Sequence, residues 1–562
     1  MPVHAAGSPF RTQLDQAAHW IVSLRRADVP SDVLELAQAQ RINILAAIFA
    51  GARTAFGQRA TAAADAFDDG GSVISLPDGK PRSLHSAAWL GAVLGTALEL
   101  DDFVFAGHTG QAAVTTSLML GQAVGASGEE TLLAQIVANE VAGRLGAVMT
   151  AGPQHGHMKA YLNRAATVAA AARLLRFDAT TTARALAIAL SAPEYPLFHG
   201  AFSADTKALC TGDPVVAGLR AARLAETGID AATDIVEHAG GLVRALSNHD
   251  RVPPIWDRLG STWSTQAICF KPLSACAYAC AAAAAAAAIV TREGDRWDPA
   301  SVRRVDVATT VLTLTMEGLS EPHRAGYVTE VNTNFSTRRS VALTLLAGTP
   351  TGDHFVPERF AQLRDAIATM SGRVHLRHDW PLTMQLLHGV DAAIDHPGRP
   401  GIYGMVETHR TLGRFKAAFR TPAAVSARDL PAILAMPREE AWYLLRRYAI
   451  GLRSRLPFRE GQAARDAYVA RETDLRRMAL RFGARVRVEL RDGRTLQEEV
   501  VTPPGFAGDP ERLAIPPRKF RREVGAAVSA EYAEQLLALL ERLPPASPTE
   551  VASAMTSEVS HV

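Results

Sequence analysis

The stretch ALELDDFVFAGHTGQAAVTTSLMLGQAVGASGEE, residues 97–130, sets the reading of the chain. Alanine, leucine and other good helix formers flank a short polar break, and the small residues among them let neighbouring helices pack closely. A helix is expected to begin near Gly110 or Gln111, with Asp101, Asp102 and His108 just ahead of it. Backbone N–H groups at a helix start, beside a histidine, suit a carboxylate. The same aspartates also suit turns and N-caps, so this stretch alone leaves both readings open.

Outward from this stretch the pattern repeats. Residues 12–268 read as helix after helix, with breaks at Pro30, Gly51, Gly107, Gly128, Gly152 and Pro193, and with Ser31 as the expected N-cap of a helix carrying Val33, Leu34, Leu36 and Ala37 on one stripe. Near residue 301 the period changes: SVRRVDVATTVLTLT alternates Val302, Val305, Val307, Thr309 and Val311 in the manner of a strand. ARVRVELRDGRTLQEEV, residues 484–500, is a hairpin with Asp492-Gly493 as its turn, Val486, Val488 and Leu490 going out, and Leu496, Glu498 and Val500 returning. Residues 509–543 return to helix, with Tyr532, Leu536, Leu537, Leu539 and Leu540 on or near one face, and are expected to pack back on the first helices. The Arg-, Pro- and Gly-rich residues 380–470 include a moderately amphipathic helix around Glu439 to Leu452, and the tail after Pro545 reads as disordered.

A chain of 562 residues, 48% hydrophobic, exceeds what one core usually serves, so at least two packed units are expected. A formal charge of +2 from 59 basic and 57 acidic residues gives no field to recruit nucleic acid or an anionic membrane. A small neutral or anionic substrate fits better. Four cysteines in so long a chain imply a reducing, cytoplasmic setting rather than a disulfide framework, and no stretch reads as a signal peptide or as apolar enough to span a bilayer.

Only six of the basic residues are lysines: Lys80, Lys159, Lys207, Lys271, Lys416 and Lys519. Arginine is therefore the default cation, and a lysine among small or apolar residues draws notice because its pKa is tunable. Lys80, Lys416 and Lys519 are read as snorkelling from helices. Lys207 lies just before an apolar helix and could clamp a carboxylate or act as a base. GPQHGHMKAYLNRAATVAAAARLL, residues 152–175, places His155, His157 and Lys159 ahead of an alanine-rich helix. QAICFKPLSACAYACAAAAAA, residues 266–286, puts Lys271, Cys276, Tyr278 and Cys280 where the helical and mixed parts meet, and interdomain clefts favour small-molecule sites. A metal at His155 and His157 with Asp101 or Asp102, or an iron–sulfur cluster on Cys269, Cys276 and Cys280, matches no familiar ligand spacing, so none is expected. No phosphate-binding glycine loop or nucleophile elbow stands in a fitting context.

Taken in order, ALELDD with its His108 loop, GASGEETLLAQIVANEVAGRL, AATVAAAARLLRFDA, TKALCTGDPVVAGLRAARLAETGI, FKPLSACAY and LRDGRTLQEEV resemble the MmgE/PrpD family, over about residues 15–345 and again over about 482–543. The resemblance implies a mainly α protein with a smaller α+β lid. Residues 1–268 and 505–545 would form the helical domain, 269–504 the lid with an unusual insertion at about 380–470, and 546–562 a disordered tail. It also implies a homodimer, no metal or organic cofactor, and a lyase or isomerase moving protons at a carbon next to a carboxylate of a small organic acid. Dehydration leads by family breadth, ahead of decarboxylation and epimerisation.

Carried over, the resemblance makes Asp102, His108, His157 and Lys207 the catalytic residues and Asp101, Lys271, Cys276 and Tyr278 the substrate-binding ones. In that scheme His108 and His157 exchange the proton, while Lys207, Lys271 and the helix start near Gly110 hold carboxylate oxygens. Asp102 orients or tunes a histidine. The chain departs from the family's pattern at His108-Thr109-Gly110, where relatives have His-Pro-Gly, and at His157-Met158-Lys159, where they have His-Pro-Thr/Ser. Cys276 and Cys280 stand where a histidine often follows in the lid, and Cys276 could serve as a thiol acid or base. These departures, with the insertion, keep two alternatives in view: a non-catalytic ligand binder, and a specialised biosynthetic enzyme.

Overall fold

The computed structural model describes residues 10–105, 107–149, 157, 159–246, 252, 254–320, 326–393 and 474–556, with a few positions between 431 and 440. The amphipathic helix expected around Glu439 to Leu452 and most of residues 380–470 lie outside the described residues, although Trp380–Asp391 is helical.

Helices Ser31–Ala52, Leu84–Thr96, Gly110–Ala123, Gly128–Met149, Lys159–Leu174, Ala179–Ser191 and Gly212–Glu226 form the larger part, as the sequence implies. Ser83 and Asp178 cap two of them by accepting the N–H of Ser86 and Thr181. Ser31 is not a cap: it is the first helical residue after Pro30, and that helix start has no side-chain cap. Small residues carry the crossings. A Cβ at Gly91 would stand 2.7 Å from Thr115 Cγ2, and one at Gly218 would stand 2.6 Å from Thr167 Cβ, so these helices sit closer than any larger residue would permit.

Ser31–Ala52 and Gly128–Met149 are long and apolar enough, by composition, to cross a membrane, which the sequence reading did not expect. Both are sheathed by other helices. Each carries polar groups that bond inside the core: Gln40 donates to Asn139 Oδ1 at 3.0 Å, and Gln135 donates to Gln40 Oε1 at 2.8 Å. A helix apolar all round is what a central core helix requires.

The second, smaller part is built on a four-stranded sheet in the order Val374–His378, Val302–Thr309, Ala484–Leu490, Thr495–Val500. The first pair is parallel and the other two antiparallel. Val486 and Val488 alternate with exposed or half-buried residues and meet Val307 and Val305 across the central pair. Gly493 turns the hairpin at φ +89°, where glycine alone is unstrained. Val311 does not continue the strand but opens the helix Val311–Glu317, capped by Thr310.

Two connections tie the parts together. Asp102–Phe103 pairs antiparallel with Cys269–Phe270, and helices Ile515–Ala527 and Ala530–Leu540 return to pack beside Ser31–Ala52. The tail expected to be disordered instead forms the helix Pro548–Thr556, which buries Val551, Ala552 and Met555. Three apolar side chains on one face of a nine-residue helix are enough to dock it where the neighbouring groove fits.

Candidate active site

The short pairing of Asp102–Phe103 with Cys269–Phe270 brings FKP beside LDD, and Lys271 N–H donates to Asp101 O at 3.2 Å. Glu99, just upstream, sits at φ +55° with its carboxylate fully buried. Lys271 Nζ lies 2.6 Å from Glu99 Oε2 and 2.5 Å from Asp101 Oδ1, while Lys207 Nζ lies 2.9 Å from Glu99 Oε1. Burial alone would raise the Glu99 and Asp101 carboxyls, but the adjacent ammonium groups hold both below their ordinary range. Burial lowers Lys207 in spite of Glu99, whereas the two carboxylates lift Lys271 against its own burial.

This arrangement shows what the lysines hold in the structure. Lys207 and Lys271 do clamp carboxylates, but these are the protein's own. Lys207 also donates to Ala97 O at 3.3 Å and lies 5.0 Å over the Phe335 ring. Glu99 was not singled out from sequence; an acidic residue between Leu98 and Leu100, in an apolar run, was the available signal.

Of the adjacent aspartates, Asp101 rather than the expected Asp102 meets the histidine. In extended chain successive side chains point to opposite sides, so only one of the two can face the histidine. It is Asp101, whose Oδ2 lies 2.7 Å from His108 Nδ1 and also accepts from Gln111 Nε2. Asp102 points away, accepting from Gln40 Nε2 at 2.8 Å and from the backbone N–H of Gly110 at 3.2 Å. The helix start near Gly110 is therefore closed by Asp102 rather than open to a ligand. Burial, and then the neighbouring Asp101 charge, raise the Asp102 carboxyl to about 6. Its Oδ1 is buried without a hydrogen bond.

His108 and His157 do come together, with ring centroids 6.1 Å apart. Because the Asp101 carboxylate is ionised it can only accept, so His108 Nδ1 carries the proton and Nε2 presents a lone pair. His157 is held the other way: its Nδ1 accepts the Lys159 backbone N–H at 3.0 Å, which leaves the proton on Nε2. Its ring stacks on Phe202, 5.5 Å between centroids at 28°. Burial lowers both imidazoles, and the ammonium of Lys159 adds to this, so both are neutral at neutral pH. His155 lies outside the described residues.

The remaining candidates have quieter surroundings. Tyr278 donates its hydroxyl to Phe335 O at 2.8 Å. Burial pushes the Cys276 thiol up to about 12, which removes it as a base near neutrality. Cys269 and Cys280 are separately committed: Cys269 Sγ accepts the Ala507 N–H at 3.1 Å and Cys280 Sγ donates to Ala275 O at 3.5 Å. Glu99, Asp101 and His108 offer ligand atoms within 4.8 Å of one another, but the carboxylate oxygens concerned already hold ammonium groups that a metal cation would have to displace.

Lys519, read from sequence as a surface lysine, is fully buried. It donates to Asn43 Oδ1, to Leu100 O and, at 3.0 Å, to Lys271 O. Burial brings it down to about 7.

Residues 15–254 match the MmgE/PrpD N-terminal domain. Two cis-aconitate decarboxylase sequences of Aspergillus terreus are each 26% identical to this chain over 278 residues, covering 46% of it and 56% of theirs. The chain therefore spans little more than half the length of the curated relatives it matches.

Proposed function

We propose, from the match of residues 15–254 to the MmgE/PrpD N-terminal domain, that the chain is a cofactor-independent lyase that moves a proton at a carbon next to a carboxylate of a small organic acid. The observation that carries the reading is the pair of neutral imidazoles of opposite polarity: His108 Nε2 offers a lone pair and His157 Nε2 offers a proton. A carbon acid needs both. In a water loss His108, held in orientation by Asp101, takes the proton from the carbon and His157 delivers its own proton to the departing hydroxyl. In a CO₂ loss no C–H bond breaks: the pair of the C–CO₂ bond passes into the carbon skeleton, and His157 protonates the carbon that receives it. Neutral histidines held below their ordinary pKa keep the base competent across the neutral range.

Decarboxylation gains ground on dehydration from the names of the relatives, and both remain within this proposal. The sheet-bearing part of residues 269–504 acts in it as the lid over the site, and a homodimer and a cytoplasmic location belong to the same reading. The test is proton NMR of the metal-stripped protein in D₂O with cis-aconitate, citrate, methylcitrate and malate. Deuterium at a carbon next to a carboxylate, or a new alkene signal, is the expected result, lost in His108→Asn and His157→Asn. Turnover in both variants at the wild-type rate overturns the site.

A further inference from the structure

One ammonium in the site is short of partners. Lys159 is 3% exposed, yet its Nζ makes one hydrogen bond, to Thr96 Oγ1 at 2.6 Å, and stands 3.6 Å from Asp101 Oδ2, beyond hydrogen-bonding reach. An ammonium has three N–H donors, so among the described residues two of them are unmatched. The other buried lysines differ. Lys271 touches two carboxylates, Lys207 a carboxylate and a carbonyl, and Lys519 three oxygens.

The charges give the same answer. Lys159, Lys207 and Lys271 face Glu99 and Asp101, three cations against two anions, and Asp102 is turned toward Gln40 and Gly110. An unmatched buried cation costs folding free energy unless an anion joins it. Lys159 also opens a 16-residue helix, whose positive end adds to its field, and its backbone N–H fixes the tautomer of His157.

We propose that Lys159 is the anchor for the substrate's carboxylate, seating it beside His108 and His157, while Lys207 and Lys271 serve the protein's own acids. The inference rests on the proposed function and sharpens it: the substrate presents one carboxylate to Lys159, with the reacting carbon next to that group and within reach of both imidazoles. Because the backbone of Lys159 holds His157 and its side chain holds the substrate, acid and substrate are positioned by a single residue.

The test uses the full chain, with calorimetric titration of maleate and cis-aconitate and with thermal melting. Wild type is expected to bind. Lys159→Met should weaken binding by roughly 10- to 100-fold, the worth of a charge-assisted hydrogen bond, and Lys159→Arg should recover much of it. Without ligand, Lys159→Met should melt above wild type, because an under-partnered buried cation has been removed; a purely structural lysine would shift melting down. Wild-type affinity in Lys159→Met overturns the anchor and leaves the lyase reading standing. Failure of the wild type to bind either acid removes the lyase reading, and the anchor with it.

Discussion

Asp101 and Asp102 are neighbours in sequence with separate tasks. Asp101 orients His108, and Asp102 closes a helix start. Asp101→Asn should lower kcat/KM by about 10²–10⁴, the usual worth of a positioned acid–base pair, while Asp102→Asn should stay within about tenfold of wild type; equal losses in the two would contradict the assignment. The pH profile follows from the same contacts. Burial lowers His108, and Asp101 partly opposes this. The acidic limb of kcat/KM is therefore expected below the ordinary imidazole pKa of about 6.5, and Asp101→Asn should move it further down. Stability carries the same sign: His108 and His157 are neutral when folded, and the unfolded chain takes up protons as pH falls through about 6.5. Their contribution is complete above that pH and shrinks below it, which melting temperatures between pH 5 and 8 would show. At this scale the sequence displayed both histidines and the aspartates. It could not display which aspartate faced inward, because the alternation of an extended chain fixes that they differ and leaves open which one is inside.

Between elements, Lys519 is the clearest strut. Its helix, Ile515–Ala527, comes from the far end of the chain, and the ammonium bonds carbonyls on either side of the Asp101–Lys271 junction. Lys519→Met leaves Asn43 Oδ1 and two carbonyls without this donor, and a loss of about 2–4 kcal/mol is expected from chemical denaturation at pH 7. The pH dependence identifies the cause. Folded Lys519 gives up its proton near 7, whereas the unfolded lysine keeps its own to about 10.5. The unfolded state thus holds more protons between those values, and this group makes wild-type stability rise with pH there, a slope that should vanish in Lys519→Met. The sequence marked lysine as scarce, yet PPRKFRRE reads as surface because its neighbours are arginines. Burial depended on a helix packing across several hundred residues of separation, which no local pattern reports. The helices and the Asp492-Gly493 hairpin were legible for the opposite reason: their period and turn chemistry are local.

Across the whole molecule, the helix Pro548–Thr556 packs against the helix Gly110–Ala123, which follows His108. The tail reads as disordered because Ser and Thr are frequent after residue 545, but Val551 and Met555 lie one turn apart on a helix and are both buried. Glycines admit the chain that leads into this helix: a Cβ at Gly121 would stand 3.0 Å from Pro548 Cγ, and one at Gly128 would overlap Pro545 O. Those glycines belong to the helices Gly110–Ala123 and Gly128–Met149, which follow His108 and carry the Asn139 that bonds Gln40 beside Asp102. Truncation after Ala546 removes the buried side chains of Val551 and Met555, worth about 3–5 kcal/mol together, and uncovers Gly121, while Pro545 stays against Gly128. If the tail helix only buttresses these helices, the truncated protein should melt earlier while kcat/KM at low temperature stays near wild type, because His108, His157 and Lys159 touch none of the removed residues that the structure describes. A truncated protein that melts like wild type would mean that the helix contributes nothing to the fold. One that keeps its melting temperature but loses turnover would instead place the tail in the catalytic cycle.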